Sequence, residues 1–134
     1  MTQVVSLSFY RFGTFRTRLW AFVMMGLARG PLGRIPDIGF WKLCGSGSGE
    51  GFTPRPNTSV YAILATWLDA DTAKDAVENA DIFRRYGASA QESWSVFMTT
   101  DTARGEWSGE MPFTPSPTSQ SGPLAALTRA TIRP

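Results

Sequence analysis

The stretch from residue 39 to residue 67 constrains the fold of this 134-residue chain more than any other part of the sequence. An apolar run at 39–44 leads into glycines at every second position, and two prolines precede a second apolar run at 58–67. Short apolar runs bounded by glycine and proline are typical of strands joined by loops. The sequence therefore predicts two strands of one sheet, near 38–45 and 58–67, with a long loop between them.

Periodic patterns on either side of this stretch predict the remaining elements. Residues 4–10 and 91–99 alternate in the manner of strands. Helical spacing predicts helices near 14–29 and 71–86. The order β-α-β-β-α-β predicts a ferredoxin-like α+β module with an antiparallel four-stranded sheet, of the dimeric α/β-barrel type.

The helices carry recognisable end signals. Thr14 is the candidate N-cap of the first helix, and Asp69 or Asp71 caps the second, with Gly87 after its end. Trp20, Met24 and Met25 make the first helix apolar beyond one stripe, so we expect it to be covered on two sides or to rest on a partner or lipid. Its main apolar face follows helical spacing. Its members are Phe15, Leu19, Phe22, Val23, Gly26 and Leu27.

Both helices of such a module lie on one face of the sheet, and the other face needs a different cover. We assign Val5, Leu7 and Phe9 to the helix side, which leaves the alternate side chains of the same strand on the open side. A face that mixes serines with aromatics suits a lined cavity or a subunit interface. The predicted pocket residues are Ser6, Ser8, Tyr10, Phe40, Lys42, Phe52, Ser93, Ser95 and Phe97.

Composition changes after the last predicted strand. We expect residues 1–113 to form the α+β domain and residues 114–134 to be a Pro- and Ser-rich linker with the start of an incomplete C-terminal segment. The apolar run at 19–27 is too short to span a membrane, since a spanning helix needs about 20 residues. No signal peptide is predicted, and one cysteine allows no internal disulfide, which favours a reducing, cytoplasmic compartment.

The charge is small overall but unevenly distributed. The formal net charge is +2, yet residues 11–42 hold six cations and one anion. This basic, apolar third of the chain either faces an anionic partner or a membrane surface, or is simply a solvated helix face. We predict no nucleic-acid partner. Because the chain has no histidine, Ser-His-Asp catalysis and His-ligated zinc are excluded for this chain alone.

Several single features permit two interpretations each. The glycine loop lacks the spacing of nucleotide-binding motifs and favours a loop over a pocket. Cys44 is either a small buried side chain or a weak candidate for a haem-iron thiolate. Lys42 is an edge-strand charge or a polar group within a pocket. Arg84 and Arg85 complement a helix dipole or contact a carboxylate or propionate.

Five sequence runs resemble the spheroidene monooxygenase family, the carotenoid ketolases of purple photosynthetic bacteria. They are FYRFGTFRTRLWAF (9–22), GFWKLCGSGSGEGFTPRPNTSVYAILATW (39–67), FRRY (83–86), ESWSVFM (92–98) and ARGEWSGEMPF (103–113). The resemblance implies oxygen-dependent introduction of a keto group at C-2 of acyclic carotenoids such as spheroidene. It also implies haem, a ferredoxin-type electron donor and a place in the cytoplasm at the photosynthetic membrane.

Family members are generally longer, so the resemblance also implies either a homodimer or a missing C-terminal half. It identifies no catalytic residue in this chain. Two alternatives stay open: a non-catalytic ferredoxin-like binding or dimerisation module, and a cofactor-independent monooxygenase of the dimeric α/β-barrel kind.

Overall fold

The computed structural model describes residues 2–47, 56–116 and 122–128. Within them the strands are β1 (Val4–Arg11), β2 (Trp41–Gly47), β3 (Pro56–Trp67) and β4 (Glu92–Met98). The helices are α1 (Phe15–Leu27), α2 (Arg29–Gly33), α3 (Ala70–Asn79) and α4 (Asp81–Ser89).

The four strands form one antiparallel sheet in the order β2-β3-β1-β4. Central β1 pairs with β3, where Val4 lies opposite Trp67, and with β4, where Val5 lies opposite Met98. The pairing of β2 with β3 shifts register between Cys44 and Ser46. This is the sheet of a ferredoxin-like fold, and the predicted fold class is confirmed.

Local capping explains where two helices begin. Thr14 Oγ1 accepts the Thr17 N–H at 3.2 Å, and Thr17 Oγ1 accepts the Thr14 N–H at the same distance. Asp69 accepts the Thr72 N–H at 2.8 Å, and this bond lowers the pKa of the Asp69 carboxyl. Thr14 and Asp69 are therefore N-caps as predicted.

The second predicted helix is two helices in the structure. Ala80 has an extended backbone, with φ −63° and ψ 135°, and it separates α3 from α4. Asp81 then opens α4 with an acidic side chain in the first turn, where the helix dipole favours it. Gly87 lies inside α4, so its assignment beyond the helix end was wrong. The first predicted helix corresponds to α1, which ends at Leu27, and the short α2 follows it.

All four helices pack on the same face of the sheet, which we call the sealed face. Trp67, Phe12, Phe83 and Tyr86 are the largest buried side chains of the core between sheet and helices. The α1 side chains that reach this core are Ala21 and Met24, joined by Ala28 after the helix. The apolar face of α1 that contains Phe15 points to solvent. Small side chains let the α1 backbone lie close to the sheet, which the bulkier stripe would prevent.

The chain after β4 folds back across one end of the other sheet face. In this return segment, residues 99–116, the Pro112 carbonyl accepts a hydrogen bond from the Gln3 side chain at 2.9 Å. The Thr114 N–H donates to the Gln3 side chain at 2.7 Å. The rings of Trp107 and Phe113 lie 5.5 Å and 6.5 Å from that of Phe40. The return segment therefore covers the end of the sheet where β1 begins and β2 starts.

Candidate functional site

The two serines of β1 lie on the sealed face, so their assignment to the open face was wrong. Ser6 and Ser8 are fully buried. Ser6 Oγ accepts the Trp67 indole N–H at 2.9 Å, and Ser8 Oγ lies 2.8 Å from Ser95 Oγ. Burial of a hydroxyl is tolerated when it is hydrogen-bonded, and both hydroxyls have partners here.

Four further predicted pocket residues also lie on the sealed side. The Tyr10 ring packs 5.2 Å from that of Tyr86, and Phe97 packs against the core. Ser95 pairs with Ser8, and exposed Ser93 lies opposite Tyr10 in the register. Placing Tyr10, Ser93, Ser95 and Phe97 on the open face was therefore wrong, because strand register puts them beside Ser6 and Ser8.

The open face of the sheet, opposite the helices, consists of three cross-strand rows and a polar border. The register aligns Phe40, Thr66, Val5 and Met98 in the first row, Lys42, Leu64, Leu7 and Val96 in the second, and Cys44, Ala62, Phe9 and Trp94 in the third. Beyond the third row, Arg11 forms an ion pair with Glu92. The open face is thus mainly apolar, with charged groups at its edges.

Cover decreases from the first row to the third. Val5 is 5% exposed and Leu64 2% exposed near the return segment. In the third row, Trp94 is 63% exposed although its ring stacks on Phe9 at 5.7 Å, with 17° between the planes. Leu7, Phe9 and Val96 are half-buried beside it. We call Leu7, Phe9, Trp94 and Val96 the open patch.

Phe40 and Lys42 lie on the open face, as predicted, at the β2 edge. Lys42 Nζ donates to Ser108 Oγ at 2.6 Å and lies 5.4 Å from the centre of the Phe40 ring. A depression of about 310 Å³ runs along this edge, and Arg29 and Glu110 contribute to its walls. Lys42 therefore anchors the return segment and borders a polar depression rather than the open patch.

At Gly39, the backbone just before β2 lies close against Thr66 of β3. The Gly39 N–H donates to the Thr66 carbonyl at 2.9 Å, and Thr66 Oγ1 accepts the Phe40 N–H at 2.9 Å. A Cβ at position 39 would lie 2.4 Å from Thr66 Oγ1 and 3.2 Å from the Thr66 carbonyl oxygen. Glycine is required here so that the chain can place Phe40 against the return segment.

Cys44 is half-buried in the third row of the open face. Burial raises the pKa of its thiol, and the nearby Lys42 charge opposes this only in part. The protonated form is favoured, whereas iron binds the thiolate. Within residues 2–47, 56–116 and 122–128, no group of three His, Cys, Asp or Glu side chains could hold a metal ion. The protonated Cys44 thiol does not support its assignment as a haem-iron ligand.

Two other predicted contacts stand apart from the open face. Arg84 and Arg85 are exposed on α4, in the helix layer on the opposite side of the sheet. Phe52 lies outside the described residues. Phe40, Lys42 and Cys44 lie on the same face of the sheet, in its first, second and third rows respectively.

Phe9 and Leu7 were missed as members of the candidate site because β1 was assigned to the wrong face. A signal was available in Phe12, which extends the even-numbered side of β1 and is fully buried. Val4, Tyr10 and Phe12 together make that side more apolar than the two serines alone suggest. If the serines alone are considered, this side of β1 is predicted to face away from the core. If the apolar residues at the two ends of the strand are considered, the same side is predicted to face the core.

Known proteins similar to this chain fall into two groups. No family model matches the sequence. Spheroidene monooxygenase of Cereibacter sphaeroides is 43% identical over 98% of this chain, and that of Rhodobacter capsulatus is 41% identical over 98%. The chain spans 41% of the length of the first relative and 56% of the second.

The solved structures share the fold at low sequence identity. A putative antibiotic biosynthesis monooxygenase from Bordetella bronchiseptica has a TM-score of 0.54 at 15% identity and covers 75% of this chain and 98% of its own. A dimeric ferredoxin-like protein of unknown function from Jannaschia sp. has a TM-score of 0.53 at 16% identity and covers 73% and 99%. SnoaB from Streptomyces nogalater, a cofactor-independent oxygenase, has a TM-score of 0.50 at 15% identity and covers 79% and 100%.

These structural likenesses show the ferredoxin-like fold alone, whereas the sequence identities extend along nearly the whole chain. The resemblance predicted from the five sequence runs is therefore confirmed, and over 98% of its length this chain is similar to part of the spheroidene monooxygenases.

Proposed function

We propose that this chain is one half of the catalytic unit of a carotenoid monooxygenase, and that the open patch forms a wall of its substrate cavity. The observation that carries the proposal is the open patch, in which Trp94 is 63% exposed and stacks on Phe9. A polyene offers apolar, conjugated surface, which aromatic side chains bind well. The similarity to spheroidene monooxygenases supplies the substrate class.

The second wall of this cavity is proposed to come from another sheet. A single open face cannot bury a long polyene, because one side of the ligand would stay in water. A second copy of this chain or the remaining half of a longer protein would supply the opposing sheet. The dimeric state of the Jannaschia protein supports the first arrangement, and the length of the curated relatives supports the second.

The proposed reaction is oxygen insertion at C-2 of an acyclic carotenoid. Each insertion places one atom of dioxygen in a C–H bond and reduces the other atom to water, with two electrons and two protons. A second insertion at the same carbon gives a geminal diol, which loses water to give the keto group. A ferredoxin-type protein is the proposed source of the electrons.

The described residues assign no oxygen-activating group to this chemistry. Because the Cys44 thiol is favoured in its protonated form, we derive no step through a haem. The open patch could serve as a binding wall in two cases: if the rest of a longer protein held the oxygen-activating cofactor, or if the reaction needed no cofactor.

The place of the chain in the cell and its division into parts are also proposals. We propose that residues 1–113 form the folded half and that residues 114–134 connect it to the remainder. No helix within the described ranges is both long enough and apolar enough to cross a bilayer. We propose a cytoplasmic location beside the photosynthetic membrane, where apolar carotenoids dissolve.

The decisive measurement is turnover of spheroidene in detergent micelles under ¹⁸O-labelled dioxygen with reduced ferredoxin, with and without added haemin. We expect a keto product that carries the label. The variant Trp94→Glu should lose carotenoid binding by at least tenfold, because it places a charge on the apolar wall.

Leu68→Glu is the matched control, since Leu68 is exposed in the connection between β3 and α3 and is not a member of the open patch. It should bind carotenoid like the unmodified chain. Unchanged binding by a folded Trp94→Glu variant would contradict the proposed wall. Absence of both binding and turnover in the unmodified chain would favour a non-catalytic module, whereas turnover without haemin would favour the cofactor-independent route.

A further inference from the structure

Helix α1 presents a continuous stripe of large apolar side chains to solvent. Phe15 is 80% exposed and Phe22 65% exposed. The whole exposed stripe is Phe15, Leu19, Phe22, Val23 and Leu27. Gly26 lies within it, and a Cβ at this position would contact nothing in the described residues beyond its chain neighbours and the α1 backbone. The stripe follows one side of the helix for its full length, which is unusual for a helix that faces only water.

The stripe is not needed for the fold, because α1 packs on the sheet through its opposite side. Ala21 and Met24 reach the core, and Trp20 and Met25 flank them. At 100° per residue, the centre of this packed side lies about 180° from the centre of the exposed stripe. The helix therefore has two apolar sides, and the described residues cover one of them.

Two arginines of α1 flank the stripe, and the segment of chain around it holds no acidic residue. Arg16 and Arg18 project from opposite margins of the stripe, according to helical spacing. Arg29 and Arg34 follow in and after the short α2. From residue 12 to residue 36 the chain holds these four arginines and no aspartate or glutamate. An apolar stripe with arginine at both margins matches a surface that is apolar inside and anionic at its boundary.

We propose that α1 lies in the plane of an anionic lipid bilayer, with the stripe below the headgroups and the arginines at the phosphates. A helix of thirteen residues is about 20 Å long, so it lies in the interface rather than crossing the membrane. Arginine can place its guanidinium at the headgroups while its methylene groups cover apolar surface. The open patch lies on the other side of the sheet and is not used in this contact.

The charge pattern favours lipid over a second copy of this chain. Two copies joined through α1 would bring Arg16 and Arg18 of each copy together, without an acidic residue from the same segment. Like charges at such an interface are destabilising. Anionic headgroups instead attract basic residues, and each basic residue near the surface strengthens membrane binding about fivefold.

The test is flotation of the purified chain with carotenoid-free vesicles, either of phosphatidylcholine alone or of phosphatidylcholine with about one third phosphatidylglycerol. We expect binding to the anionic vesicles, and binding that weakens as salt is added. Phe15→Ser with Phe22→Ser should reduce binding at least tenfold. Arg16→Gln should reduce it about fivefold.

Two controls match these variants on the other side of the sheet. Met111→Ser removes an exposed apolar side chain of the return segment, and Arg104→Gln removes an exposed arginine there. Both should change vesicle binding less than twofold. Circular dichroism checks that each variant is folded. If the double variant is unfolded, the vesicle binding of Arg16→Gln tests the proposal instead.

The proposal is overturned if the folded chain does not float with anionic vesicles, or if the stripe and control variants bind equally. A further contradictory outcome is an oligomer that the stripe variants dissociate, with no vesicle binding by the unmodified chain. Carotenoid turnover of the same variants in detergent micelles should be unchanged. A loss of vesicle binding is thereby distinguished from a failure of the proposed catalytic function.

Discussion

The two faces of the sheet differ in a way that their residue types do not suggest. The sealed face contains Ser6 and Ser8, both fully buried. The open face contains Trp94, the most exposed aromatic side chain of the described strands. Each buried serine has a hydrogen-bond partner, whereas the exposed tryptophan has only one stacked ring beside it. Satisfied hydrogen bonds, rather than side-chain polarity alone, decide which face of this sheet can be sealed.

The comparison also separates stability from binding. Side chains of the sealed face make their contacts within the chain, so their removal should act on folding. Side chains of the open patch keep apolar surface available, so their removal should act on what covers that patch. Three predictions test this separation, in decreasing order of expected effect.

Phe83→Ala should cost about 3–5 kcal/mol of unfolding free energy, because it opens a cavity in the core beside Trp67. Trp94→Ala should cost about 1 kcal/mol or less at low protein concentration, where only its stacking on Phe9 is lost. Urea unfolding followed by circular dichroism measures both values. Equal losses from the two variants would contradict the difference between the faces.

Alkaline pH should destabilise the sealed face through its tyrosines. Burial raises the pKa of Tyr10 to about 12, opposed in part by a hydrogen bond with Ser8. Burial also raises the pKa of Tyr86 to about 12, with smaller contributions from Tyr10 and Tyr61. In the unfolded chain both phenols ionise near pH 10, whereas in the folded chain they stay protonated until about pH 12.

The sign of the effect follows from this difference. The stabilisation is fully present below pH 10 and is lost as the pH rises towards 12, at about 1.4 kcal/mol per pH unit for each tyrosine. Urea unfolding at pH 9 and pH 11.5 measures the loss. Tyr86→Phe is the informative variant, because the Tyr86 hydroxyl has no hydrogen-bond partner among the described residues. Tyr86→Phe should change the unfolding free energy little at pH 9 and should reduce its loss between pH 9 and pH 11.5. An unchanged loss would contradict the role given to the Tyr86 phenol.

Ser6→Ala should cost about 1–3 kcal/mol, because it leaves the buried indole N–H of Trp67 without its partner. Ser93→Ala is the matched control on the exposed end of β4 and should change stability by less than about 0.5 kcal/mol. Thermal and urea unfolding of the two variants make the comparison. A neutral Ser6→Ala substitution would show that the hydrogen bond is not what allows serine on the sealed face.

Much of the fold could be predicted from local patterns in the sequence. The alternation of residues 4–10 predicted β1, because a two-residue period is typical of a strand. The short apolar run at 58–67, which follows two prolines, predicted β3. Thr14 and Asp69 marked two helix starts, since their oxygens bond backbone N–H groups a few residues away. The order of the elements then restricted the topology to one confirmed arrangement.

Less of the candidate site could be predicted. Phe40 and Lys42 were placed on the correct face, but Ser6, Ser8 and Tyr10 were not. The alternation of β1 separates its side chains into two sets without saying which set meets the helices. The same ambiguity affected α1, whose more apolar side faces solvent while Ala21 lies in the core.

The sequence by itself determined the elements, their order and their end signals, because these depend on neighbours a few residues apart. Only the tertiary structure decided which side of each element is covered. That choice depends on partners far along the chain, such as Trp67 for Ser6 and Ser95 for Ser8, and on the return segment that covers Val5. A hydroxyl becomes compatible with the core only when such a distant partner is present, and no local pattern contains that information.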